Sequence, residues 1–168
     1  MKKITYTLFL SIYLISGSAF ANIDNNKEAI KSAALKKWEA TPEGIFFKKW
    51  ETSPACKKVI ESTSKIRKSI IEFSGMEAVV TSLSLPTGAR LGFGMMVNID
   101  GEDYILSFGP DINKEFGQLR NLKVNDKILI KSHSVSKAPK YIYPIIAGDY
   151  IEKNSKLIYK RTPNKGGC

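Results

Sequence analysis

The chain has 168 residues, with 26 Lys and Arg against 16 Asp and Glu and a single histidine. The formal charge of +10 suits anionic partners such as nucleic acid, phospholipid headgroups or an acidic protein, although the lysines are spread as on an ordinary solvated surface. One histidine and two cysteines are too few for a zinc site, and neither a C-x-x-C pair nor a phosphate-cradling glycine loop is present, so no metal or cofactor is expected.

Residues 1–21 have the layout of a cleavable bacterial secretory signal. Lys2 and Lys3 precede an apolar run, Ile4 to Ile15, that is too short to span a bilayer, and Ser16-Gly17-Ser18-Ala19-Phe20-Ala21 ends it with an A-x-A site. Cleavage after Ala21 predicts a mature chain of about 147 residues starting at Asn22, enough for one domain with a real core. No second long apolar run follows, so no transmembrane anchor is expected and the expected address is the periplasm or the exterior. Cys56 and Cys168 are an even pair in an exported chain, which predicts one disulfide, within the chain or between two copies.

From residue 22 to 75 the apolar spacing is helical. A repeat stands out: Lys36-Lys37-Trp38-Glu39-Ala40-Thr41-Pro42 returns twelve residues later as Lys48-Lys49-Trp50-Glu51-Thr52-Ser53-Pro54. Thr41 and Ser53 suit an N-cap, and Pro42 and Pro54 suit the first helical position. Three helices are predicted, over 25–40, 42–51 and 54–72. Ile30, Ala34 and Trp38 share a face of the first, Phe46 and Trp50 a face of the second. Val59, Thr63, Ile66 and Ile70 form a stripe on the third. Such aromatics are more often core than a partner-binding face, and core is the expectation here.

After Gly75 the spacing alternates and β-branched residues collect. Met76 to Leu85, Gly92 to Ile99 and Tyr104 to Phe108 read as strands, the last two joined by the hairpin signal Asp100-Gly101. Asp111 to Asn121 reads as a short helix, and Lys127 to Val135 and Tyr141 to Ile151 as further strands around the loop Lys137–Lys140. Leu157 to Tyr159 can add a short strand. On a strand His133 faces away from Ser132 and Ser134, which excludes a serine–histidine pair.

This order resembles the OB-fold, a five-stranded Greek-key barrel with a helix between the third and fourth strands. The specific match is Leu122-Lys123-Val124-Asn125-Asp126-Lys127-Ile128-Leu129-Ile130, similar to the "L-x-V-G-D-x-V-x-V" run into the fourth strand, with Asn125 in the usual glycine place. Glu77 to Leu83 is similar to the first strand; an SH3-like barrel shares several of these cues. The resemblance covers about 76–151 and predicts a closed barrel there; with the helices over 22–75, which it does not explain, the expected chain is α+β, its barrel domain running over 76–161 and a flexible tail, 162–168, ending in Cys168. Val79, Phe93, Val97, Leu106, Ile128 and Ile130 are the expected barrel interior. The resemblance also implies a binding face on strands 2 and 3, between the first loop and the loop joining strands 4 and 5. Carried onto this chain, the candidates are Arg90, Met96, Asn98, Lys131, Lys137, Lys140, Tyr141 and Tyr143. The functional expectation is an exported, non-enzymatic binding module for an envelope or secretion-complex protein or an anionic ligand. Single-stranded DNA binding in transfer or uptake is the alternative, and an enzyme with a scattered site the weakest.

Overall fold

The computed structural model describes residues 30–109 and 116–162. The signal segment, the first residues of the predicted first helix and the tail with Cys168 lie outside the described residues. The chain divides into two compact units, Met1–Lys49 and Trp50–Cys168.

The first unit holds helix α1, residues 30–39, and most of α2, Pro42–Glu51. Thr41 ends one and starts the other. Its hydroxyl donates to the Trp38 carbonyl (2.7 Å) and accepts from Gly44 N (3.1 Å), while Pro42 supplies the fixed φ of a first helical position. Gly44 is required by close approach, since a Cβ there would lie 2.2 Å from the Trp38 carbonyl oxygen. Trp38 meets Phe47 edge-on at 5.6 Å.

The second copy of the repeat does the same work one helix later. Ser53 caps α3, Pro54–Ile71, by accepting from Cys56 N at 3.2 Å, with Pro54 in the first turn. The repeat is thus a helix-end, cap and restart unit used twice. Of the expected stripe on α3, Val59, Ile66 and Ile70 are buried and Thr63 is half-buried, with Cys56 and Ser62 buried beside them. Two residues of the sheet fix α3 through three hydrogen bonds. The Tyr104 hydroxyl donates to the Ser62 carbonyl (2.7 Å), and Glu102 accepts from the Ser62 hydroxyl (3.1 Å) and from Lys65 Nζ (2.5 Å). Burial, with Glu102 and Asp100 adding to it, pushes the Tyr104 hydroxyl up to about 12, so it stays a donor. The Lys65 and Ser62 bonds hold the Glu102 carboxyl below its ordinary range.

Eight strands follow: β1 Met76–Ser82, β2 Phe93–Ile99, β3 Glu102–Gly109, β4 Lys127–Lys131, β5 Val135–Ser136, β6 Ile145–Ala147, β7 Tyr150–Lys153 and β8 Lys156–Lys160. They form one mixed sheet in the order β5-β6-β3-β2-β1-β4-β7-β8, in which β3 and β6 run parallel. This corrects the expected α+β arrangement of helices and a closed five-stranded OB barrel. Among the described residues no ladder joins the edge strands β5 and β8, and the sheet is open. The described part of the connection from β3 to β4 carries a 3₁₀ turn, Leu119–Asn121; residues 111–115 of the helix expected there lie outside the described residues.

The departures have local causes. The run expected as one strand, Tyr141 to Ile151, breaks at Gly148, where a Cβ would fall 2.4 Å from the Phe108 ring. Its second half turns into β7, which adds to β4, and Asn154-Ser155 (φ 53° and 59°) returns the chain as β8. The run Lys127 to Val135 breaks at 132–134. Lys131 and Val135 lie five places apart in the strand order, yet at most about 14 Å of extended chain joins them. The open sheet is therefore strongly curled.

Val97, Leu106, Ile128 and Ile130 sit in the main core, as expected. Phe93 is half-buried and stacks on Phe116 (4.8 Å). Val79 is out of phase: β1 buries Met76, Ala78 and Val80. Ala78-Val79-Val80 is apolar throughout, so alternation alone did not fix its face. The Asp100-Gly101 turn and the left-handed place of Asn125 were expected. Asp100-Gly101 has φ 50° and 85°, and Asn125 has φ 72° in the place of the usual glycine.

Candidate functional site

The binding face implied on β2 and β3 is covered by the chain's own loops. Met96, Ile105 and Tyr141 are buried together, with Leu85, Leu91 and Tyr143 packed around them. Arg90 N donates to the Tyr141 hydroxyl (3.3 Å) and Lys140 Nζ donates to the Gly88 carbonyl, so the two expected loops do meet. They meet as a lid that consumes Tyr141 as core instead of displaying it for stacking. Lys140 also stands 5.9 Å from the Tyr141 ring centroid.

The remaining candidates are dispersed. Lys131 lies over Tyr150 (5.2 Å) and Lys137 over Trp50 (5.8 Å). Asn98 belongs to the hairpin, donating to Asp103 (2.9 Å) and accepting from Gly101 N (3.0 Å). It also borders a groove of about 570 Å³ on β1, β2, β4 and β7, whose charged side chains are Glu77, Asp100, Glu152 and Lys127. That acidic excess repels an anionic polymer. Arg90 is exposed on the loop.

A polar cluster missed in the sequence sits at the strand break. His133 is not on a strand, so the argument from alternating faces does not apply to it. Its backbone N donates to Asp149 Oδ2 (2.8 Å), and its ring Nδ1 contacts the same oxygen. Arg161 Nε lies 2.7 Å from Asp149 Oδ1 but off the hydrogen-bond direction, so that contact is an ion pair. The backbone of Arg161 adds a directed bond to the Asp149 carbonyl (2.7 Å), and Nη2 donates to the Gly148 carbonyl (3.1 Å). Asp149 is 7% exposed in its side chain and His133 63%. Ser132 bonds Ser134, at its carbonyl (2.8 Å) and its N–H (3.2 Å), and neither serine joins the imidazole. A buried carboxylate that orients an accessible histidine is half of a catalytic arrangement. Here its evident work is to pin the β4–β5 break to the end of β8. The sequence signal was one carboxylate, Asp149, inside an apolar run.

Among the described residues no group of three or more His, Cys, Asp or Glu converges as a metal site. Cys56 is fully buried with a free thiol; its expected partner Cys168 lies outside the described residues.

The remaining surface of note is in the first unit, residues 30–49. Trp38 is 41% exposed and Phe46 60%, against the expectation that the helical aromatics are core; Trp50, in the second unit, is buried. Ile30, Leu35 and Ile45 are exposed as well. Lys31, Lys36, Lys37, Lys48 and Lys49 intersperse these side chains, against Glu39 and Glu43. Lys48 pairs with Glu39 at 2.9 Å, so each carries less charge outward. No helix among the described residues is long and apolar enough to cross a membrane.

Compared with family models, with curated proteins and with solved structures, the chain matches none.

Proposed function

We propose that the chain is an exported, non-enzymatic binding module of the cell envelope, and that residues 30–49 engage its partner. The observation that carries this is the density of exposed apolar side chains there. Ile30, Leu35, Trp38, Ile45 and Phe46 stand out within twenty residues, while the other exposed large apolar side chains of the described residues, from Ile60 to Leu157, are scattered over α3, its C-terminal end, the sheet's loops and β8. Scattered apolar exposure is ordinary, and five such side chains within twenty residues are denser than that. The lysines among them give the patch a positive field, which selects an anionic or acidic counterpart. The leader-like start of the chain supports the envelope as its address.

The test is co-sedimentation of the full chain with washed cell envelopes, alongside the Ile45→Ser/Phe46→Ser double variant. Both side chains are exposed, so the variant should fold as the parent does. Retention of the parent and release of the variant is the expected result. Equal retention of both, or of neither, overturns the reading.

A further inference from the structure

We infer, resting on the reading above, that the surface of residues 30–49 docks on the headgroup–acyl boundary of a bilayer rich in anionic phospholipid. The α2 helix has ten residues, about 15 Å and half of a hydrocarbon core, so on a bilayer it lies along the interface and does not span. At about 100° per residue, Ile30, Trp38 and Leu35 fall within one arc of about 140° on α1, and Ile45 and Phe46 lie about 100° apart on α2. Lys31 and Lys49 fall inside these arcs, so neither helix divides into an apolar and a basic half; a tryptophan, a phenylalanine and aliphatic side chains are there to enter the boundary, and the lysines among them lay their stems along it and keep the ammonium in water.

The turn between the helices suits a partly dehydrated site. Thr41 satisfies the Trp38 carbonyl and the Gly44 N–H with one hydroxyl, leaving fewer bare backbone groups to desolvate. Charge decides the lipid class, since five lysines face two glutamates, one of them held by Lys48. Nucleic acid is the poorer counterpart. Phosphates reward the lysines but leave Ile45 (59% exposed) and Phe46 (60%) in water, with no gain from their burial.

The experiment uses the full chain carrying Trp50→Phe, so that Trp38 is the only tryptophan, with its fold checked against the parent by melting temperature. The probes are vesicles of phosphatidylethanolamine and phosphatidylglycerol at three to one, and vesicles of phosphatidylcholine alone. Expected are a blue shift of Trp38 emission and its quenching by lipids brominated near the headgroup, on the anionic vesicles and not on the neutral ones. Each lysine near an anionic surface is worth about fivefold, so Lys36→Gln/Lys37→Gln should weaken partitioning by on the order of 25-fold. Ile45→Ser/Phe46→Ser should weaken it by on the order of 100-fold or more. Equal binding to both vesicle types overturns the inference. So does binding to neither, if washed envelopes still retain the chain until they are treated with protease; a protein is then the partner and the binding-module reading stands. Binding to neither vesicles nor envelopes overturns both.

Discussion

At the residue scale Asp149 carries more than any other polar side chain of the sheet unit. It closes the break that the sequence conceals. His133 is held by its backbone as well as by its ring, and Arg161 approaches through both its guanidinium and its N–H. Removing the carboxylate takes their partner from the His133 N–H, its ring and Arg161 Nε, while the Arg161 N–H keeps the Asp149 carbonyl. Asp149→Ala should cost about 2–3 kcal/mol, below the range of about 3–5 for a fully buried pair because Arg161 and His133 are partly in water. His133→Ala keeps the backbone bond and should cost under about 1 kcal/mol. Urea unfolding of the two variants checks the asymmetry; equal losses would mean that the imidazole, not the carboxylate, holds the break. This cluster was not legible beforehand because it depends on a non-local meeting of residues 133, 149 and 161 and on a kink that periodicity does not register.

At the element scale the legible parts were those whose signals are local. Thr41-Pro42 and Ser53-Pro54 fixed where α2 and α3 begin, and Asp100-Gly101 fixed the β2–β3 turn, since each acts through its own backbone. The OB-like order was misread because the expected strands Lys127 to Val135 and Tyr141 to Ile151 each divide, and the second halves pair elsewhere in the sheet. The phase of β1 escaped because its apolar residues are consecutive. The end of α3 holds another local feature. Phe73 follows the helix with φ 50°, its N–H bonded to the Ile70 carbonyl at 3.3 Å. A bulky residue in that conformation costs about 1–2 kcal/mol, and glycine does not. Its ring is 45% exposed, so little packing is lost with it. Phe73→Gly should stabilise the protein by about 1 kcal/mol, read as a higher denaturation midpoint. A lower midpoint would show that the ring's remaining contacts outweigh the relief.

At the scale of the whole molecule the candidate site moved from where the resemblance implied it. The two loops expected to frame a site on β2 and β3 do meet, but Tyr141 and Met96 are consumed in a lid of the chain's own loops. The helical aromatics expected in the core are divided, with Trp50 inside and Trp38 and Phe46 outside. The sequence alone did not separate them because Trp38 and Trp50 occupy the same place in the repeat. Only the tertiary surroundings of the second copy bury its ring, next to Lys137. The most direct measurement places a photoreactive phenylalanine analogue at Phe46 or at Arg90 in the full chain, irradiates cells that express it, and reads adducts by mass spectrometry of the recovered protein. Adducts from position 46 and none from position 90 are the predicted result. Adducts from position 90 with none from position 46 would return the site to the loop face and contradict the account.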